Sequence, residues 1–268
     1  MKDYTLKYGK GSVTFALDEA HVTELYGTPV PKIDDIRAAL YATLSSPVSH
    51  EPLESWVNPG DKVALIVSDM SRFWMRQDLV VPHIISYLTD KCDVNQNNIT
   101  IIIANGTHPG GDENELRTLV TDGVYDRIRV VNHDCQAKDL VYIGTTSLGT
   151  EVRINPIAAN ADKVIMLGAC TYHVMAGYGG GRKSILPGIS GLETIRQNHL
   201  HSLDLLAPRS NPLIGNGVTD DNPLNEDMCQ AAAMVKNLFG INLVTNADMK
   251  LAHIISGDPM KSWQLACH

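Results

Sequence analysis

The sequence has little to offer three large classes of protein. Its five cysteines, Cys92, Cys135, Cys170, Cys229 and Cys267, stand far apart, with no C-x-x-C pair. That spacing excludes a zinc knuckle or a thioredoxin-type redox site, and an odd, scattered set fits a reducing compartment. No stretch approaches the roughly 20 consecutive apolar residues of a membrane span, and no charged-then-apolar leader opens the chain. A cytoplasmic protein without membrane partners is expected. Positive charge is also scarce: 22 basic residues against 30 acidic ones give a net charge of −8, so the chain as a whole has no attraction for nucleic acid. Internal repeats and low-complexity segments are absent. Nothing in the pattern speaks to oligomeric state.

What is present reads as an α/β protein. "YTLKYGKGSVTFAL" alternates around Gly9-Lys10-Gly11 and predicts an N-terminal β-hairpin. Apolar runs follow at 62–69, 99–108, 127–134, 162–170 and 241–248, each ending in small or polar residues. Continuous Val, Ile and Leu suit strands covered on both faces. Between them, helical patterns occupy 33–44, 79–89, 113–120, 190–203 and 226–238. The alternation predicts an open, mostly parallel, Rossmann-like sheet with helices on both faces, the whole of 1–268 forming a single α/β domain. The last residues read as a strand, a turn and the beginning of a helix.

Ligands of such sheets sit beyond the carboxyl ends of the strands. Three polar, glycine-bearing loops fall there: "SDMSR" (68–72), "NGTHPGG" (105–111) and "TYHVMAGYGGGRK" (171–183). The third resembles a P-loop and fails its pattern, because Arg182 stands where a glycine should precede the lysine. No G-x-G-x-x-G follows the first long strand either, which removes a plain Rossmann dehydrogenase. The physical content survives: Gly179, Gly180 and Gly181 leave backbone N–H groups unhindered beside Arg182 and Lys183, a suitable cradle for an anion. A neighbouring cation lowers a lysine's pKa, so Lys183 is a plausible amine nucleophile; its ordinary alternative is phosphate pairing or solvent.

His108 and His173 lie on two of these loops, and His199 and His201 near the end of a helix. An unperturbed pKa of about 6.5 suits the first two to acid–base work and one further histidine to a metal. His21, His50, His83, His133, His253 and His268 read as surface or capping residues. Asp69 and Arg72 follow a strand directly; Arg72 can grip a carboxylate, with a capping aspartate and a solvated arginine as the ordinary alternative.

"SDMSR", "GTH", "YHVMAGYGGGRKSILPGISGLETIRQNH" and "NPLNEDM", in this order and spacing, resemble the nickel-dependent lactate racemase family. The resemblance covers about 1–265 and matches only the amino-terminal domain of that family; members normally carry a second α/β domain, so this chain is expected to lack it or to be truncated. It implies an isomerase that racemises or epimerises lactate or a related small 2-hydroxy acid. The cofactor implied is nickel held in a nickel-pincer nucleotide, a pyridinium mononucleotide with a thioamide and a thiocarboxylate, installed by maturation proteins. By position, Lys183 would carry the thioamide link, His199 would bind nickel, and His108 and His173 would be the alternating acid/base pair. Arg72 would contact substrate, Asp69 near it would belong to the cofactor site, and the loop of Gly179, Gly180, Gly181 and Arg182 would hold the nucleotide phosphate. Two departures flank the implied pocket: Phe73-Trp74 where proline usually follows Arg72, and Pro109 where a basic residue usually follows "GTH". The alternative is a non-catalytic nucleotide- or phosphate-binding module, which needs the glycine loop but not the four residues His108, His173, Lys183 and His199 together.

Overall fold

The structure is a computed structural model that describes residues 1–25 and 27–268. The chain divides into two compact units, residues 1–30 and 31–268.

In the first unit, strands Lys2–Tyr8 and Gly11–Leu17 pair antiparallel, with Tyr4 opposite Phe15 and Leu6 opposite Val13. The turn is possible because Gly9 takes φ +56°, left-handed space that costs a glycine little. The side chains of Tyr4 and Phe15 stack, and the Thr5 and Thr14 hydroxyls meet on the other face at 2.8 Å.

The second unit is built on a six-stranded sheet in the order 251–257, 238–245, 163–169, 63–68, 99–104, 129–132. Every pair is parallel except the last strand, Leu251–Gly257, which turns back antiparallel along Leu238–Thr245. Residues alternate between two cores. Leu65, Val67, Ile101, Ile103, Ile165 and Leu167 pack on one face with Leu40, Leu44, Ile84, Ile85, Leu88 and Leu119 from helices. Ala64, Ile66, Ile102, Val164 and Met166 pack on the other with Leu224, Met228 and Ala231 from the helix Pro223–Ala233 and with Ile185, Leu186 and Ile189. Because both faces are covered, the central strands have no polar side, which is why their sequences run apolar without a break.

The expected α/β architecture and its hairpin are therefore present, with boundaries moved. The strand expected at 241–248 begins at Leu238, inside the segment read as helical; that helix occupies Pro223–Ala233, capped by the Asn222 side chain. An antiparallel ribbon, Val141–Thr145 with Glu151–Ile154, escaped the sequence reading because its short strands are half exposed and carry no long apolar run.

Chain order fixes where a ligand can sit. From the central strand Val63–Ser68 the chain moves outward through 99–104 and 129–132, then returns to place 163–169 on the other side of 63–68. Connections leave these neighbours in opposite directions, and a crevice opens at their carboxyl ends.

Candidate active site

A cavity of about 220 Å³ occupies that crevice. The loop after 63–68 contributes Asp69 and Arg72; the loop after 99–104 contributes Thr107 and His108; the loop after 163–169 contributes His173, Gly179, Gly180 and Lys183; and the helix Leu192–Leu200 contributes His199. Two expected residues lie off the cavity wall. Gly181 packs beneath it, where an added Cβ would come within 2.6 Å of the Trp263 ring. Arg182 is wholly buried. Its guanidinium donates to the carbonyls of Ala176 (2.7 Å), Tyr178 (2.9 Å), Gly179 and Gly180 (3.3 Å each), and its Nε donates to Asn225 Oδ1 (2.9 Å). The same group lies 3.8 Å from the Trp263 ring centroid. Burial lowers its pKa to about 10, which still leaves it charged at neutrality. Arg182 thus ties the glycine loop to itself, buried away from the cavity rather than facing an external phosphate.

Close backbone approach accounts for the glycines. A Cβ on Gly168 would stand 2.9 Å from Gly180 Cα, and one on Gly180 would stand 3.0 Å from the Ala169 carbonyl. Gly177, Gly180 and Gly181 also adopt φ of +74°, +71° and +49°. The loop is consequently pressed against the end of the strand Lys163–Ala169, and the Gly181 N–H donates to the buried Asn242 side chain at 3.1 Å.

Immediately beside the buried, hydrogen-bonded Arg182, Lys183 has a different fate. Its amine makes no hydrogen bond or ion pair with the described residues. Burial, then the charges of Arg182 and Arg72, lower its pKa to about 7. A large share is therefore the free amine at neutral pH, the form that acts as a nucleophile.

The three histidines are held in three ways. His199 donates from Nδ1 to the Ile195 carbonyl at 2.9 Å, and burial lowers its pKa, so the neutral ring keeps its lone pair on Nε2. At His173, Nδ1 accepts the Met175 and Ala176 N–H groups at 3.2 and 3.1 Å. Its pKa falls to about 4, chiefly through burial and then through Lys183, Arg182, Arg72 and His199. His108 is half exposed and has its Nδ1 2.5 Å from Asp69 Oδ2. The other oxygen of Asp69 accepts from Ser71 Oγ at 2.6 Å, and Arg72 donates to that hydroxyl at 3.0 Å.

Several supporting residues carry no motif. Gln77, fully buried, accepts from the Ser68 N–H and donates to the Ser68 carbonyl, closing the end of the central strand where the 3₁₀ turn Met70–Met75 begins. Asp227, also fully buried, accepts from Thr146, Thr150 and Asn198, and so clamps the helix that carries His199. Neither had a signal in the sequence: Gln77 stands between Arg76 and Asp78, and Asp227 follows Asn225 and Glu226, ordinary polar surroundings that name no partner. Trp74 lines the cavity, whereas Phe73 packs against the core without reaching it. Among the described residues, no group of three or more His, Cys, Asp or Glu could hold a metal ion.

Comparison with known proteins agrees with this geometry. Residues 8–209 match the family of the lactate racemase N-terminal domain. The chain is 26% identical, over its whole length, to the lactate racemase of Thermoanaerobacterium thermosaccharolyticum, and 27% identical, over 98% of its length, to that of Lactiplantibacillus plantarum. It spans 62% and 61% of those two relatives. The structure of the T. thermosaccharolyticum lactate racemase apoprotein superposes with a TM-score of 0.87 over 99% of this chain and 61% of that one, at 25% identity. A Thermotoga maritima protein shares the fold at a TM-score of 0.64 and 19% identity, over 87% of this chain and 57% of its own. Given these matches and a cavity that gathers the motif residues from three loops and a helix, the chain belongs to the lactate racemase N-terminal domain family.

Proposed function

We propose that the chain is the cofactor-bearing, acid–base part of a racemase or epimerase acting on lactate or a related small 2-hydroxy acid. The observation that carries this reading is the convergence of Lys183, His199, His173 and His108 on one cavity with Arg72 at its wall. A phosphate-binding module would need the glycine loop alone.

The residues fit the cofactor that the family resemblance implies. Lys183 presents an unpartnered amine close to half neutral, suited to covalent attachment. His199 supplies one nitrogen donor, its Nε2, in a cavity where no cluster of three His, Cys, Asp or Glu gathers among the described residues. A nickel ion there would take its remaining donors from the pincer's own sulfur and carbon atoms. Gly179 and Gly180 leave backbone open at the wall, where a nucleotide could approach closely. When bound, that group supplies the hydride chemistry at the substrate Cα.

The chain's own residues manage charge, orientation and protons. Arg72 and Lys183 make the cavity attractive to an anion, and Arg72, whose Nη1 rests on Ser71, keeps Nε and Nη2 to grip a carboxylate in a two-pronged contact. With the carboxylate fixed, the two enantiomers differ in where the hydroxyl points. His108 and His173 come from different loops, and in this reading each serves one of the two poses. A small cavity lined by packed elements helps pre-pay the orientation. Trp74, one of the departures noted in the sequence, stands where the rest of the substrate would lie.

The test is co-expression with the cofactor's maturation proteins, followed by intact mass, metal analysis and a racemisation assay on L-lactate. A covalent adduct with nickel, lost in Lys183→Ala, and conversion to the D enantiomer are expected. An unmodified mass under those conditions would transfer the case to a binding module.

A further inference from the structure

The loop that carries His108 starts at Asn105, a buried residue that lines the cavity. Its amide is fixed by what lies behind it. Nδ2 donates twice, to Asn132 Oδ1 and to the His133 carbonyl, at 3.1 Å each. Asn132 is fixed in turn: its Oδ1 accepts the Gly111 N–H at 3.1 Å, and its Nδ2 donates to the Gly111 carbonyl at 2.8 Å. Turning either amide over would set oxygen against oxygen, so the orientation of Asn105 is settled. One atom is left over. Asn105 Oδ1 is buried and has no hydrogen-bond partner among the described residues. Buried side-chain atoms of Tyr41, Asn198 and His201 share that condition, and none of those three residues lines the cavity. A desolvated acceptor without a donor is costly, and a ligand in the cavity can bring the donor.

We propose that Asn105 is a ligand-binding residue of the cavity, its Oδ1 accepting a hydrogen bond from a hydroxyl group of the bound molecule. This rests on the racemase reading for the identity of that molecule. The class of group follows from the acceptor. Carboxylate, phosphate and keto oxygens only accept, so none of them satisfies it. A 2-hydroxy acid and a pyridinium mononucleotide both carry hydroxyls that do: the substrate's own, or those of the ribose. Two bonds at its back already orient the amide, so the contact forms without ordering a side chain. It also discriminates, because a ligand without the hydroxyl leaves the oxygen unpaired.

Carbon-13 spectra of the cofactor-free chain, read at Asn105 Cγ, test this with nicotinic acid mononucleotide and L-lactate. Pyruvate serves as the lactate-shaped control that has no hydroxyl. Saturation with the mononucleotide should move Cγ downfield if the donor is the ribose. Saturation with L-lactate, and not with pyruvate, should move it if the donor is the substrate. Asn105→Ala should weaken binding of the probe responsible by about tenfold or more. Asn132→Ala removes a partner of the same amide and spares Oδ1, so it should lower the unfolding midpoint and change that affinity less than Asn105→Ala does. A Cγ shift indifferent to both probes, bound or not, overturns the inference. So do equal responses to L-lactate and pyruvate with none to the mononucleotide, or an Asn132→Ala variant that loses as much affinity as Asn105→Ala. Should Asn105→Ala fail to fold, the Cγ shift of the parent protein decides. These spectra need neither nickel nor turnover. A loaded protein that does not racemise lactate would therefore end the functional reading, with the response to the mononucleotide still deciding the role of Asn105.

Discussion

The two walls of the cavity are built on opposite physical plans. On one, Asp69, Ser71, Arg72 and His108 form a chain of side-chain hydrogen bonds at a half-exposed rim. On the other, His173, Lys183 and His199 are held by backbone groups or by nothing, and burial drives all three toward their neutral forms. The first wall ties its polar groups to one another. The second removes charge by excluding water, with Arg182 as a fixed cation behind it. Nucleophile and ligand chemistry need lone pairs, which desolvation supplies; a counter-charge beside a ring that takes up a proton is what Asp69 offers His108.

This contrast can be broken most severely at Arg182. Arg182→Ala removes the guanidinium from the Ala176 and Tyr178 carbonyls and the Asn225 side chain, while the Gly179 and Gly180 carbonyls keep the Trp263 Nε1–H and the Lys183 N–H. Denaturant unfolding should show a loss of about 3–5 kcal/mol. Arg182→Lys should recover little of it, because a single ammonium cannot reach so many acceptors. The His108 signals of any folded fraction should be unaffected, since its partners belong to the other wall.

Lys183→Met tests the desolvated wall with the opposite sign. The folded pKa of Lys183 is lowered from 10.5 to about 7, so the unfolded chain binds more protons between those values. Stability of the parent protein is therefore lost as pH falls from about 10.5 to 7, and the variant escapes that loss. At pH 7 it should be about 1–3 kcal/mol more stable, an advantage that vanishes above pH 10.5, while attachment of any cofactor at this position is abolished.

A smaller effect is expected at His173. Its ring should stay neutral in an NMR titration until pH approaches 4. The unfolded ring titrates near 6.5, so stability drains away as pH falls from 6.5 to 4. His173→Asn should blunt that acid sensitivity by about 1–2 kcal/mol at pH 4. The smallest change is Trp74→Ala, which widens the cavity beside Arg72. A severalfold improvement in kcat/KM for a bulkier 2-hydroxy acid relative to lactate is expected, of the order of 1 kcal/mol in relative terms. Unchanged selectivity would place the substrate elsewhere in the cavity.

Much of this was legible before any coordinates. Unbroken apolar runs announced a covered parallel sheet, and the rule that ligands gather at strand ends picked out the three loops that do meet. Lys183 was identified as a softened amine because Arg182 stands next to it; burial proves the larger cause, and burial is a property of the packed chain. Arg182 itself read as an anion contact. A guanidinium beside glycines looks the same in sequence whether it faces a ligand or the loop's own carbonyls, and only the fold chose the latter. Gln77, Asn242 and Asp227 were invisible because their partners lie 9 to 81 residues away.

Local chemistry, then, is the sequence's share: which segments are strands, which loops carry donors and nucleophiles, and which family has this string of motifs. Those properties depend on neighbours along the chain. Tertiary structure decided the surroundings of the reactive groups, setting Asp69 against His108, backbone amides against His173 and burial around the Lys183 amine. A tautomer or a shifted pKa records what surrounds a group in space, and the groups that matter here, Asp69 against His108 and Arg72 near Lys183, meet only when the sheet brings separate loops to one edge.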